Sequence, residues 1–224
     1  MIIYNSEVIE LKKINDIYIR AIRSVIVVTL YFIWPSLISS LLNIFNIDSN
    51  EILQFIGNIM LLVIILFIYR KDILFSMNNL SSKKMVRLFI ALVVVQVLTN
   101  LLSILILGVD NHTNNVGLLP TSLEKWPVLV GISMTVIYPI LESLIFNKSL
   151  KDVINNTWAF ILCSALFFWL VNLFAFNFNY ISIIATMSCF TTSIVINYFY
   201  CKEDNISSII IVKMIYNLIF LLLP

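Results

Sequence analysis

Three apolar stretches carry side chains of types that do chemistry. Glu142, Ser143 and Asn147 lie in the run Tyr138-Pro-Ile-Leu-Glu-Ser-Leu-Ile-Phe-Asn-Lys148. Phe168 and Asn172 stand four apart in a second run, and Lys213 and Asn217 four apart in a third. A spacing of four puts two side chains on one helix face. A carboxylate in such surroundings costs ~2.5–3.5 kcal/mol on insertion scales, so it usually faces a bundle interior and serves a site. Three chemistries fit these types. Glu142 is a candidate base, with Ser143 or Cys163 as nucleophile. Lys213 is a candidate base for a Ser-Lys dyad. Buried Glu, Lys and Asn together are candidates for a transporter or channel relay. Ser143 follows Glu142 directly, so it points about 100° away from it on a helix, which is poor geometry for a base and its nucleophile. Polar residues in spans also serve simply as interhelical hydrogen bonds, worth ~0.6–2 kcal/mol each.

The elements that position these groups follow from composition. The chain has 224 residues, 61% hydrophobic and 12% charged. Soluble domains carry about 25% charged residues, so this is an integral membrane protein. With no open sheet able to span lipid, the fold class is an all-α polytopic transmembrane bundle. About seven stretches are long enough to cross: residues 24–47, 52–69, 88–109, 127–146, 158–177, 181–200 and 206–223. Residues 1–23 mix charge with apolar residues at helical spacing and predict an amphipathic interfacial helix. Loops are expected at 48–51, 70–87, 108–126, 147–157, 178–180 and 202–205. Pro35 and Pro139 are expected to kink their spans. Pro139 also leaves a backbone carbonyl free one turn before Glu142. The reading is one membrane domain over residues 1–224.

Charge sets orientation and excludes partners. The net charge of +2 gives no reason to expect nucleic acid. With the N-terminus inside, twelve of the 14 Lys and Arg fall in inner segments: Lys12, Lys13, Arg20, Arg23, Arg70, Lys71, Lys83, Lys84, Arg87, Lys148, Lys151 and Lys202. Lys125 alone falls outside, and Lys213 is within a span. The positive-inside rule then places the N-terminus in the cytoplasm, the C-terminus outside and the chain in the cell membrane. The cysteines Cys163, Cys189 and Cys201 show no CxxC spacing and read as small buried packing residues. The single histidine, His112, sits in the polar loop Asp110-Asn-His-Thr-Asn-Asn115.

The three runs resemble the motifs of the CPBP intramembrane proteases (CAAX prenyl-protease and bacteriocin-processing, or Abi). That family shows EExxxR, FxxxH and HxxxN on three spans. Pro139 through Glu142-Ser143 to Phe146-Asn147 is similar to the first, Phe168-Trp-Leu-Val-Asn172 to the second, and Lys213-Met-Ile-Tyr-Asn217 to the third. The resemblance covers residues 125–224. It implies a water-activating Glu at 142 and a metal-assisted site, but the chain departs from it. Ser143 replaces the second Glu, Asn147 the Arg, and Asn172 and Lys213 the two histidines. A zinc site needs three imidazole, carboxylate or thiolate ligands, and only Glu142 qualifies among the matched positions. No metal, cofactor or functional catalytic residue is therefore expected.

Glu142 and Lys213 are the only charges inside the predicted spans, and both fall at motif positions. The ammonium is expected to stand in for the missing metal charge as a buried ion pair, with Asn172, Asn217 and Ser143 adding hydrogen bonds. The alternative is that Lys213 snorkels to an interface. The resemblance implies a catalytically inactive scaffold, regulator or immunity-type subunit that binds a membrane partner or hydrophobic peptide. An active intramembrane peptidase with an altered site and a transporter or channel component are the alternatives. Abundant Asn and Ile fit a low-GC bacterium.

Overall fold

A computed structural model describes residues 2–44, 51–108, 126–174 and 180–222. They form α1 (Ile2–Ile44), α2 (Glu51–Met77), α3 (Ser82–Leu107), α4 (Pro127–Val153), α5 (Thr157–Phe174), α6 (Tyr180–Glu203) and α7 (Ile206–Leu222). No strand occurs among the described residues. Segments of α1 through α6 are long and apolar enough to cross a membrane, the first being Asp16–Leu42. The 17 residues of α7 reach about 25 Å at 1.5 Å per residue, the lower limit for a span, so about seven spans fit.

Several expected boundaries move. The interfacial helix and the first span are one helix, because α1 runs unbroken from Ile2 and continues through Pro35. The loop expected at 70–87 shrinks to a turn at 78–81, and the one at 147–157 shrinks to 154–156. Charge alone does not break these helices: Asp72, Lys148 and Asp152 are neutralised with Arg23 across the bundle, while Arg70, Lys71, Lys83, Lys84 and Arg87 stay exposed on the helix surfaces. The segments expected to be loops at 48–51, 108–126 and 178–180 lie almost wholly outside the described residues, His112 included.

The neutralising cluster sits at one end of the bundle. Arg23 of α1 donates Nη1 to Asp72 Oδ2 of α2 and Nη2 to Asp152 Oδ2 of α4, each at 2.7 Å. Lys148 of α4 completes the ring at 2.9 Å from Asp152 Oδ1 and 3.2 Å from Asp72 Oδ1. The Arg23 guanidinium also lies 4.4 Å from the Tyr69 ring centroid, and Tyr69 and Ser149 share a 2.7 Å hydrogen bond. Glu142 and Lys213 are thus not the only charges inside the helices.

The core is built around α4. Ile137, Leu141, Leu144, Ile145 and Phe146 are all buried there, against Leu61 and Ile65 of α2, Phe160 and Ile161 of α5, and Ile209 and Val212 of α7. Outer faces such as Val63 and Phe67 on α2 or Leu105 on α3 stay exposed, as lipid-facing surfaces do. α1 and α2 approach at Gly57, whose carbonyl accepts the Trp34 indole N–H at 2.9 Å. A Cβ at Gly57 would stand 3.3 Å from Ile38 Cγ1.

The register of α7 is set at its start. Asp204 takes a left-handed φ of 48° and closes α6. The next residue, Asn205, accepts from the Ser208 N–H at 2.8 Å and so caps α7. Its amide also donates to the carbonyls of Ser76 and Asn79 at 2.8 and 3.0 Å. Ser207 bonds Ser76 across the same junction. One asparagine therefore satisfies a donor at the head of α7 and two acceptors at the foot of α2. This anchorage fixes how far up the bundle Lys213 reaches.

Candidate functional site

Helix α4 is irregular where the site lies. Residues Ser133–Ile137 and Ser143–Ser149 are wide turns with five-residue hydrogen bonding, separated by the ordinary turn Tyr138–Glu142. The first has a chemical cause. The Tyr138 N–H bonds back to Ser133 O, and Pro139 has no N–H to give. The Met134 carbonyl is left over by the helix ladder, and Asn217 of α7 fills it through Nδ2 at 2.9 Å. Asn217 thus binds backbone on α4, not the carboxylate.

One turn below, Lys213 Nζ donates to Glu142 Oε2 at 2.7 Å. The side chains are 10% and 24% exposed, so the pair is shielded but not sealed. The ammonium also faces the Phe168 ring of α5, 5.1 Å from its centroid. That contact adds cation–π attraction of about 0.5–2 kcal/mol. Phe168 packs edge-on against Phe146, and Phe146 against Tyr31 of α1. The pair rests on an aromatic layer.

The other matched positions go elsewhere. Ser143 is fully buried and donates to the Pro139 carbonyl at 2.6 Å. Its hydroxyl supports neither the ion pair nor a Ser-Lys dyad. Asn172 turns back onto its own helix, donating to Phe168 O at 2.8 Å. Asn147 donates to Asn197 Oδ1 at 2.6 Å, on the α6 side of α4. The expected hydrogen bonds from Ser143, Asn172 and Asn217 to the pair are not among the contacts found. Cys163 is exposed in an apolar groove with Leu150, Leu166 and Phe167, away from Glu142.

Two cavities flank the ion pair. One, of about 290 Å³, is lined by Glu142, Lys213 and Phe168 with Gln96 of α3, Ser188, Cys189 and Thr192 of α6, and Tyr216 and Asn217 of α7. The other, of about 370 Å³, is lined by Met134, Tyr138, Glu142, Asn172, Asn217, Phe220 and Leu221. Glu142, Asn217 and Phe220 belong to both walls. The polar wall from α6 is absent from the sequence reading, which took Cys189 as a packing residue. Its signal was the run Ser188, Cys189, Thr191, Thr192 and Ser193, unusually polar for a span.

Asn197 was also overlooked. It is fully buried and joins three helices, accepting from Asn147 at 2.6 Å and Ser164 at 3.2 Å. Its own amide reaches Ile161 O and Ser193 Oγ at 3.4 Å. Ser193 and Asn197 stand four apart, the spacing of a polar seam. Replacing Asn197 with alanine strands the Asn147 amide in the core. The expected loss is about 1–3 kcal/mol of stability, measured by reversible denaturation in mixed micelles.

The residues do not fit a metal centre. Among the described residues no three His, Cys, Asp or Glu side chains group together. Glu142 shares its cavity with a single further candidate ligand, Cys189, while a cation lies on its oxygen. What the arrangement offers is a charge-neutral pair between two cavities rimmed by amides, hydroxyls and aromatic rings.

No curated protein and no solved structure matches the chain. Residues 124–219, which reach from the approach to α4 into the last turns of α7, match the family model described as type II CAAX prenyl endopeptidase Rce1-like. The pair and all the motif positions fall inside that stretch, and of the two cavities' α4 and α7 walls only Phe220 and Leu221 lie beyond it. In this multi-pass membrane protein, the stretch that holds the ion pair is therefore similar to the Rce1-like type II CAAX prenyl endopeptidases, a likeness that covers residues 124–219 of the 224.

Proposed function

We propose that the protein is a CPBP-like membrane component without peptidase activity, acting as a scaffold, regulator or immunity-type subunit for another membrane protein or a hydrophobic peptide. One observation carries this reading: the Lys213 ammonium lies 2.7 Å from the Glu142 carboxylate. A metal-assisted hydrolase needs that carboxylate free to take a proton from water, beside a cation that binds water as a Lewis acid. An ammonium neutralises the carboxylate but has no empty orbital to polarise water. Asn172 and Lys213 at the two histidine positions remove the ligands as well. The two cavities beside a neutral, amide-rich wall retain the capacity to hold a polypeptide segment.

In this reading the chain lies in the cell membrane with its N-terminus in the cytoplasm. The charge asymmetry supports that orientation, and Arg23, Lys148 and Lys151 gather at one end of the bundle with Asp72, Asp152 and Asp204. The test is capture of the tagged protein from native membranes in mild detergent, wild type against the Glu142→Ala/Lys213→Ala double variant, read by mass spectrometry. A stoichiometric membrane partner held by wild type is expected. Trimming of a co-purified peptide that depends on Glu142, with zinc bound, would sink the proposal.

A further inference from the structure

The ion ring leaves an uncompensated surface beside it. The α2–α3 hairpin carries Arg70, Lys71, Lys83, Lys84 and Arg87, all exposed. Its single carboxylate over residues 70–87 is Asp72, and Asp72 is turned inward to Arg23 and Lys148. None of the five cations has a carboxylate partner among the described residues; Arg70 has only the Phe67 ring, 4.8 Å away. Lys83 and Arg87 stand four apart on one face of α3. Like charges at that spacing repel one another. The surface is thus electrostatically unrelieved as it stands.

Its position and its apolar residues identify the ligand. Lys71 lies six residues before the end of α2 and Arg87 five after the start of α3. At 1.5 Å per residue both are about 8–9 Å from the turn, with Arg70 at about 10 Å and Lys83 and Lys84 within about 3 Å, so the five cations are spread over the final ~10 Å of the hairpin. Between them in sequence, Leu74, Phe75, Met77 and Leu80 are 62%, 72%, 51% and 41% exposed. Cations interleaved with exposed apolar side chains, at the end of two membrane helices, match the boundary between headgroups and acyl chains. Lipid accounts for both features together, the headgroup phosphate for the cations and the acyl chains for Leu74 and Phe75.

We propose that the α2–α3 hairpin is a binding surface for anionic phospholipid headgroups, gripped by Lys83, Lys84 and Arg87 on α3 and by Arg70 and Lys71 on α2. The ring makes this selective, because drawing Asp72 inward removes the only charge on the hairpin that would repel a phosphate. Each basic residue near an anionic lipid surface is worth roughly a fivefold gain in affinity.

The test titrates short-chain phosphatidylglycerol, and short-chain phosphatidylcholine in parallel, against the detergent-solubilised full chain, read by native mass spectrometry. Wild type is expected to prefer the glycerol lipid. The Lys83→Gln/Lys84→Gln/Arg87→Gln variant is expected to lose that preference by at least tenfold. Lys202→Gln, an exposed cation on α6, is expected to keep it. Should the triple variant fail to fold, Arg70→Gln/Lys71→Gln on the other helix must weaken the preference, and salt near 1 M, where the screening length is about 3 Å, must abolish it in wild type. Equal binding of both lipids by wild type, or a preference unchanged in either hairpin variant, overturns the proposal.

Discussion

Replacing Lys213 with methionine is expected to lower stability in mixed micelles by about 3 kcal/mol, because it leaves Glu142 charged and unpaired inside the bundle. Glu142→Gln alone should cost a similar amount, since the Lys213 ammonium then faces only the Phe168 ring and a neutral amide. The double variant Glu142→Gln/Lys213→Met should recover most of the loss. A coupling energy of about 2 kcal/mol or more identifies a mutually dependent charge pair. Coupling near 0.6 kcal/mol would match an ordinary interhelical hydrogen bond, and additive effects would mean the two groups act independently. The measurement is reversible unfolding by a denaturing detergent, followed by the near-ultraviolet signal of the tryptophans. Trp169, next to Phe168 in α5 and bonded to Thr186 at 3.0 Å, reports on the α5–α6 packing beside the pair.

The second large effect is expected at Asp152. This carboxylate is 5% exposed and receives both Arg23 and Lys148. Asp152→Asn leaves two cations sharing Asp72, and the expected cost is again about 3 kcal/mol. Asp72→Asn should cost clearly less. Asp72 is 28% exposed, and its bond to Lys148 is the longest in the ring at 3.2 Å. The two variants also differ in which contact they loosen. Asp152 ties α1 to α4, so its loss should free α1 from the Rce1-like part of the chain. Faster cysteine cross-linking or proteolysis within α1 in Asp152→Asn than in Asp72→Asn would display this. Equal effects of the two variants would show that the ring is held by overall charge and not by its individual bonds.

Hydropathy gave away the helical bundle readily, since seven apolar runs of span length leave little else to build. The three motif-like pairs were legible because order and spacing are sequence properties. Glu142, Phe168 and Lys213 then meet in space, while Ser143 and Asn147 turn to other partners. Charge misled at the ends of helices. Arg70 to Arg87 reads as a loop when each charge is assumed to need water, yet Asp72 finds Arg23 forty-nine positions away. Such pairing depends on which helices are neighbours, and no local window contains that information. The α6 wall was missed for a different reason. Ser188, Cys189 and Thr192 are small polar residues, individually common in membrane helices, and only their common cavity gives them meaning.

The two wide turns of α4 make that helix longer in residues than its height in the membrane requires. Each wide turn holds a surplus residue relative to an ordinary helix, and each residue of an ordinary helix advances the direction of the next by about 100°. Loss of a single residue within Ser133–Ile137 would let the turn relax to normal winding, and because the wide turn had absorbed that residue, Glu142 would keep facing Lys213. Ordinary winding with every residue kept would instead swing everything on one side by about 100° relative to the other, and Glu142 would face away from Lys213 although every side chain at the site would still be present. The spelling of the motif is therefore only half of what the fold inherits; the other half is the winding that leads up to it, which the letters alone do not show.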